Sequence, residues 1–275
     1  MILANHGIIS SSGASFDADA LSFITAAAIT DNTQKTAINT LVTDLKTYNI
    51  WTKMKALYPF VGGTASSHKW NLKDPRDLDA AYRLVFNGGG THDSTGYIMN
   101  GTDSFANTYF NPSTVSGWKD NHNLSIYLKT TTPTGTGWHL GYGNTTTGDP
   151  LYGLAVRRNT TNELIYDSGN ISQNGRLQTT ITDAKGFWSA NALASNDRRI
   201  FKNGTSFATS FSTVSGTPAN DIMTIGAMNG TGGSLKYFLS GINSLTSFSD
   251  SLSPTELTNL NTAVTTYQTI LLRNN

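Results

Sequence analysis

The sequence contains no cysteine, which excludes disulfide bonds and thiolate metal sites. Charged side chains are also scarce. Asp, Glu, Lys and Arg make up 13% of the chain, about half the usual share of ~25%. The 19 basic and 18 acidic residues nearly cancel, so no strong field attracts a phosphate backbone, and we expect no nucleic-acid partner.

Long apolar runs are missing as well. No stretch of ~18 apolar residues occurs, and therefore no membrane insertion is expected. Met1 to Ile9 lacks the basic segment and the apolar run of a signal peptide. The surface must consist largely of Gly, Ser, Thr and Asn, as is common on extracellular β proteins and virus particles. Such a surface without an export signal fits a protein assembled in the host cytoplasm and released by lysis.

Acidic residues suited to catalysis are few. A glycosidase needs two carboxyl groups on either side of the scissile bond, and the chain has only two glutamates, Glu163 and Glu256. Glu256 is better explained as a helix cap, and Asp167, Asp183, Asp197 and Asp250 fall at predicted turns. The five histidines do not have metal-binding spacing. We therefore predict no catalytic residues, no metal ligands and no enzymatic activity.

Helical periodicity is confined to the two ends of the chain. Apolar residues at helical spacing predict a first helix from Asp17 to about Ala28 and a second that begins at Asp31, with Gln34 in the capping-box position. A third short helix is predicted between Tyr48 and Pro59. We assign residues 1–75 to a helical attachment region. At the other end, Ser253, Pro254 and Glu256 predict the start of a C-terminal helix.

Between these ends, the apolar residues alternate with period two. Leu124 to Leu128 and Leu177 to Thr182 are two clear examples, and Asn203-Gly204 predicts a two-residue type I′ hairpin. About ten or more short strands in series, without helices between them, indicate antiparallel pairing. The predicted fold class is mainly β, with an antiparallel β-sandwich over residues 76–275.

Three segments resemble the concanavalin A-like, laminin-G-type lectin/glucanase superfamily. They are Asn100 to Ala106, the hairpin from Arg199 to Gly204, and Leu239 to Leu245 leading through Phe248 to Leu257. This resemblance implies a jelly-roll sandwich whose last strand runs into a terminal helix.

The N-terminal part resembles a module of phage structural and tail-associated proteins that precedes such a jelly roll. Four segments carry the resemblance: Phe16 to Ala20, Thr40 to Lys46, Trp51 to Pro59 and Val61 to Ala65. It implies a virion component, such as a tail, fibre or head-decoration protein, with other virion proteins as partners. Phage appendages are symmetric, so we also expect a homo-oligomer, with a trimer as the working assumption.

Aromatic and amide side chains supply the remaining surface chemistry. Sugars stack their C–H faces on Trp or Tyr rings while polar groups bind their hydroxyls. The candidate ligand-binding residues lie at or beside predicted loops: Trp118, Trp138, His139, Tyr142 and Tyr152. No cofactor is predicted. A Ca²⁺ site in the rim loops is left open, with Asp93, Asp103, Asp120, Asp149 and Asp221 as its candidate ligands.

The sequence therefore favours a non-enzymatic phage virion protein whose sandwich binds host-surface carbohydrate. Two alternatives remain open: a polysaccharide depolymerase on the same scaffold, and a secreted bacterial adhesin.

Overall fold

The computed structural model describes residues 15–144, 146–158, 161–230 and 233–274. Met1 to Ile9, which lack a signal-peptide pattern, lie outside the described residues. Within these ranges the α-helices are α1 (Ala18–Ala26), α2 (Asn32–Thr47), α3 (Ala65–His68) and α4 (Pro254–Ile270). Among the described residues, no helix has the length and apolarity needed to cross a bilayer.

Two stacked sheets form the body of the protein. The strands of the first sheet are β1 (Met54–Tyr58), β3 (Thr91–Asp93), β4 (Gly96–Asn100), β6 (His122–Leu128), β11 (Gly186–Ala194), β12 (Asp197–Lys202), β13 (Thr205–Ser210) and β17 (Ser240–Ser249). Those of the second sheet are β2 (Val85–Asn87), β5 (Phe105–Asn107), β7 (Leu140–Gly143), β8 (Leu151–Arg158), β9 (Glu163–Gly169), β10 (Arg176–Thr180), β14 (Thr224–Ile225), β15 (Met228–Gly230) and β16 (Leu235–Lys236).

The strand order is β13-β12-β11-β6-β17-β4-β3 in the first sheet, where β1 also pairs with β17, and β10-β9-β8-β7-β14-β5-β2 in the second. Nearly all pairs are antiparallel; the short pairing of β15 with β7 is parallel. Strands β13 and β10 are edge strands of their sheets, and they contact each other on the same side of the sandwich. The predicted antiparallel β-sandwich with N-terminal helices and a C-terminal helix is confirmed.

The main apolar core lies between the sheets. Alternate residues of β6, such as Leu124 and Ile126, point into it from the first sheet, and Leu154 and Tyr166 point into it from the second. The opposite face of the first sheet carries a second core beneath α1, α2 and α4. Both faces of β6 are therefore covered, and all seven of its residues are buried.

The predicted helix between Tyr48 and Pro59 is wrong. This segment forms a 3-10 turn, Trp51–Lys53, followed by strand β1. Ala56 and Tyr58 face the core between the sheets, whereas Met54 and Leu57 face the helices. Apart from the half-buried Lys55, β1 is apolar, and the sequence of a strand buried on both faces cannot be distinguished from that of a short buried helix by periodicity alone.

The helices and the sandwich share packing. Val42 of α2 and Val264 of α4 belong to the same apolar cluster as Phe187 and Phe201 of the first sheet. Strand β1, which precedes residue 75, pairs with β17 near the end of the chain. The division into residues 1–75 and 76–275 stays a prediction. It would assign β1 to the first region and its pairing partner β17 to the second, although both belong to one sheet.

Candidate functional site

Three of the predicted ligand-binding aromatic residues lie in the core between the sheets. The Tyr142 and Tyr152 rings stack on each other, with their centroids 5.3 Å apart, and both side chains are fully buried. Trp118 stacks on His122 and is 1% exposed. A sugar could reach these rings only if the sheets separated. The geometry therefore gives them packing roles, contrary to their predicted position at accessible loops.

His139 and Trp138 immediately precede β7. The His139 side chain is fully buried and its Nδ1 accepts a hydrogen bond from the Val156 amide at 3.1 Å. Trp138 lies on the outer face of the second sheet, within a small apolar cluster that includes Leu151 and Met228. Its ring is 3% exposed. Of the five predicted residues, Trp138 alone lines one of the cavities described below.

A cavity of about 240 Å³ opens on the outer face of the second sheet. We call it the sheet-face cavity, and its lining residues are Trp138, Gly148, Leu151, Arg158, Arg176, Met228 and Tyr237. It combines two aromatic rings, two guanidinium groups and an apolar floor, which is the mixed chemistry of small-molecule binding sites.

Two glycines allow side chains that line this cavity to lie close to the sheet. Gly141 and Gly153 lie opposite each other on adjacent strands. A Cβ atom at Gly153 would lie 3.1 Å from Cε3 of Trp138, and one at Gly141 would lie 2.8 Å from Cε of Met228. Because neither position carries a side chain, Trp138 and Met228 can lie directly on the backbone of the sheet.

Two arginines flank the Trp138 ring. Cζ of Arg158 lies 6.0 Å from the ring centroid and Cζ of Arg176 lies 5.9 Å from it, within the cation–π range of about 6 Å. Arg176 donates two hydrogen bonds to Asp167, of 2.8 and 2.7 Å. This bidentate contact raises the pKa of Arg176 and holds its guanidinium plane beside the ring.

Asp167 is not a turn residue, as the sequence predicted, but a fully buried residue within β9. Burial raises the pKa of its carboxyl group, and the two hydrogen bonds from Arg176 oppose that shift. Residues Asp167 and Arg176 are register partners across β9 and β10. The pair is therefore a cross-strand ion pair whose function near the cavity is to orient Arg176.

Tyr237 forms the exposed edge of the cavity. Its side chain is 48% exposed, although its backbone has a left-handed φ of 63°. Such a conformation costs about 1–3 kcal/mol for a non-glycine residue. Neighbouring contacts impose it: the Tyr237 carbonyl accepts a hydrogen bond from the Trp138 amide at 3.0 Å. A Cβ atom at Gly137 would lie only 1.8 Å from that carbonyl oxygen.

A second cavity, of about 490 Å³, opens between the edge strands β10 and β13. We call it the edge cavity, and its lining residues are Thr161, Asn162, Thr180, Ile181, Thr182, Asp183, Lys202 and Phe207. The Phe207 ring is 44% exposed and packs edge-on against Trp188, with the centroids 5.3 Å apart. Lys202 donates a hydrogen bond to the Asp183 carbonyl oxygen at 3.0 Å. The edge cavity is larger than the sheet-face cavity, and three of its eight lining residues are threonines.

The candidate calcium ligands lie in five separate parts of the chain, with Asp93 at the end of β3 and Asp120 in a 3-10 turn, and several of their carboxylates already accept hydrogen bonds. Asp93 binds Thr95, Asp103 binds Gly89 and Asn100, and Asp221 binds Asn229. In the part of the chain that the structure describes, no group of three or more His, Asp or Glu side chains is arranged to hold a metal ion. The calcium site remains an untested expectation.

Arg158, Arg176 and Tyr237 were missed by the sequence analysis. The signal for Tyr237 is weak, because Tyr237 and Phe238, shortly after the Gly-rich stretch from Asn229 to Ser234, resemble the apolar beginning of the strand that follows. The alternating Gly141 and Gly143 are a stronger signal, since glycine within a strand marks a place where another group approaches the backbone closely.

The fold and the sheet-face cavity together define a class: a β-sandwich protein with helices on the outer face of one sheet and a polar-aromatic cavity on the outer face of the other. No protein-family model matches the sequence, and no curated protein matches it significantly. Solved structures do show similarity, at low sequence identity.

Three such structures illustrate this similarity. Domain 4 of AbnA, an extracellular arabinanase of Geobacillus stearothermophilus, in complex with arabinotriose, is 14% identical, with a TM-score of 0.44 over 76% of this chain and 98% of the domain. A Ruminococcus gnavus sialidase module (CBM40) with bound α2,6-sialyllactose is 16% identical, with a TM-score of 0.40 over 55% of this chain and 91% of the module.

The botulinum neurotoxin serotype D binding domain is 9% identical, with a TM-score of 0.48 over 78% of this chain and 52% of that chain. The match therefore covers about half of that binding-domain structure. Since all three TM-scores lie below 0.5, the fold assignment rests on the strand pairing described above.

Proposed function

We propose that the protein binds carbohydrate through the sheet-face cavity and does not cleave it. The observation that carries this proposal is the half-exposed Tyr237 ring, held in a strained backbone conformation beside the two arginines. An aromatic ring face accepts the C–H groups of a sugar, and planar guanidinium groups donate hydrogen bonds to its hydroxyls. Strained residues of this kind are concentrated at ligand sites.

The two carboxyl groups of β9 are not placed as a hydrolytic pair. Glu163 and Asp167 lie on one face of β9 four residues apart, a distance of about 13 Å along the strand. Glycosidases place their carboxyl pair about 5–9.5 Å apart. Asp167 is also held by Arg176, and Glu163 accepts a hydrogen bond from Gln178 at 2.7 Å.

Titration of the purified protein with a panel of neutral and acidic host-surface polysaccharides tests this proposal. We expect binding by the native protein and at least a tenfold loss of affinity, about 1.4 kcal/mol, for Tyr237→Gly. Glycine accepts the left-handed backbone without strain, so this variant should stay folded. Leu272→Gly is the matched control: Leu272 is also exposed and left-handed (φ 56°), but it lies beyond the end of α4.

Binding that is equal in native protein and Tyr237→Gly would reject the cavity as the site. Absence of binding to every glycan would reject the carbohydrate function. Release of new reducing ends from any polysaccharide would favour the depolymerase alternative, with the sandwich as a catalytic scaffold.

We further propose that the chain is a virion structural protein, as the resemblance of its N-terminal part implies. What supports an attachment role is the helical side of the molecule, where Leu21 is 50% exposed and lines a shallow apolar groove with Ala26 and Pro75. This groove lies beside α1, which packs over the first sheet, whereas the sheet-face cavity lies on the second sheet. Attachment and ligand binding would then use different faces, and a trimeric assembly is part of this proposal.

A further inference from the structure

The sheet-face cavity and the edge cavity are connected by strand β10. Arg176, which lines the sheet-face cavity, is the first residue of this strand, and Thr180, which lines the edge cavity, is the last. The four intervening steps span about 13 Å. The two cavities are thus separated by a few sugar lengths on one edge strand.

The outer face of β10 between them is polar and accessible. Arg176, Gln178 and Thr180 share this face because side chains alternate along a strand. They are register partners of Asp167, Ile165 and Glu163 on the outer face of β9. Gln178 and Thr180 are exposed. Their amide and hydroxyl groups form a row of neutral hydrogen-bonding groups, and an aromatic ring, Tyr237 or Phe207, lies in the cavity at each end of the row.

The charged groups along β10 and around the two cavities nearly cancel. The basic groups are Arg157, Arg158, Arg176 and Lys202, and the acidic groups are Glu163, Asp167 and Asp183. Arg176 is paired with Asp167, and Arg158 lies 3.8 Å from Glu163. Arg157 and Lys202 instead donate to the backbone carbonyl oxygens of Thr182 and Asp183. A ligand along β10 therefore meets two ion pairs and neutral donors and acceptors, and four basic against three acidic groups create no concentrated positive field for an anionic group.

We infer that the ligand is an extended neutral oligosaccharide that lies along β10, with one end at Tyr237 in the sheet-face cavity and the other at Phe207 in the edge cavity. This inference rests on the proposed carbohydrate function and specifies its ligand class. It requires that affinity increase with chain length, because a single sugar unit can occupy only one of the two aromatic contacts. It also requires weak salt dependence.

Calorimetric titration with size-graded neutral oligosaccharides tests the inference, using β1,4-linked glucose, α1,4-linked glucose and α1,5-linked arabinose from monosaccharide to hexasaccharide. For the series that binds, we expect affinity to increase by at least tenfold from the disaccharide to the length that spans β10, and then to level off. Phe207→Ala should remove that increase and leave disaccharide affinity unchanged. Tyr237→Gly should weaken binding at every length.

Phe211→Ala is the matched control, because Phe211 is a phenylalanine one residue beyond β13 that is 63% exposed and lies near Arg199 outside the edge cavity. It should bind every oligosaccharide like the native protein. Affinity that is independent of chain length, with Tyr237→Gly still defective, would overturn the extended ligand but keep the carbohydrate function. Binding of acidic glycans alone, with strong salt dependence, would overturn its neutral character. No binding to any glycan would mean that the proposed function itself is wrong.

Discussion

Buried histidines are the clearest chemical feature among the individual side chains. His122 lies between the sheets, where its Nδ1 contacts the Trp118 carbonyl oxygen at 2.5 Å and its Nε2 contacts the Tyr166 hydroxyl at 2.8 Å. The carbonyl can only accept, so Nδ1 carries the proton and the Tyr166 hydroxyl donates to Nε2. Burial lowers the pKa of His122 to about 3. A neutral imidazole thus completes this polar cluster.

His68 and His92 form a second case. Their Nδ1 atoms lie 2.9 Å apart, and the Gly63 amide donates to Nε2 of His68 at 3.2 Å. Nε2 is therefore unprotonated, and His68 donates from Nδ1 to His92. Burial, assisted by the positive potential of His92 and Arg273, lowers the pKa of His68 to about 3. The pair is stable only while both rings are neutral.

These histidines predict that the protein loses stability in mild acid. Burial lowers the pKa values of His68, His122 and His139 to about 3, whereas an unfolded histidine titrates near ~6.5. The unfolded state therefore binds more protons below pH ~6.5, and stability that is present above this pH is lost as the pH falls towards the folded-state values. The three groups together should lower the free energy of unfolding by about 4 kcal/mol between pH 7.5 and 5.5.

Urea unfolding at the two pH values measures this loss. His122→Gln, which keeps a donor and an acceptor but cannot titrate, should reduce the difference between the two pH values by about a third, whatever its effect on absolute stability. An unchanged difference in this variant would show that His122 does not contribute to the acid sensitivity.

Helix ends follow a common pattern in this protein. Helices α1, α2 and α4 are each followed by a left-handed residue: Ala28, Asn49 and Leu272, respectively. After α4, the Arg273 amide donates to the Gln268 carbonyl at 2.8 Å and the Leu272 amide donates to Thr269 at 3.0 Å. These two hydrogen bonds define the Schellman motif, in which glycine is the preferred left-handed residue. Neither Ala28 nor Leu272 is the residue that the backbone would favour.

Leu272→Gly should therefore stabilise the protein by about 0.5–1 kcal/mol, because it removes left-handed strain at a side chain that buries almost no surface. Thermal and urea unfolding would detect this gain. The control is Leu21→Gly: Leu21 is half exposed but has helical geometry inside α1, and its replacement should cost about 1 kcal/mol. A loss of stability in both variants would contradict the strain argument.

The part of the chain that the structure describes presents two chemically different sides. The apolar groove beside Leu21 belongs to the N-terminal helix, whereas Gln178 lies on the exposed outer face of β10 in the second sheet. If the protein is a virion component attached through its helices, Leu21 should be covered in particles and Gln178 should remain accessible to solvent.

Single cysteines can test this arrangement, because the native chain has none. Leu21→Cys and Gln178→Cys should both react with a maleimide in the isolated protein. In assembled particles we expect reaction at position 178 and at least tenfold protection at position 21. Equal reactivity at both positions in particles would reject attachment through the helices, and absence of the chain from purified particles would reject the virion role.

Much of the architecture follows from local sequence patterns. Ser253 and Glu256 form the predicted capping box of α4, and Asp31 accepts the predicted hydrogen bond from the Gln34 amide at 2.8 Å. Asn203 and Gly204 both have positive φ, as the type I′ hairpin requires. Caps and tight turns involve residues a few positions apart, and alternating apolar residues require only that one face be buried. Such features can be read directly from the chain.

The sheet-face cavity could not be read in this way. It depends on pairings between residues far apart in sequence, such as Gly141 with Gly153 and Asp167 with Arg176. Whether an aromatic ring packs in the core, like Tyr142, or remains half exposed, like Tyr237, depends on whether its side chain points towards the opposite sheet or away from it. Composition and periodicity do not reveal which residues pair across neighbouring strands. That register results from long-range packing of strands that have similar local sequences.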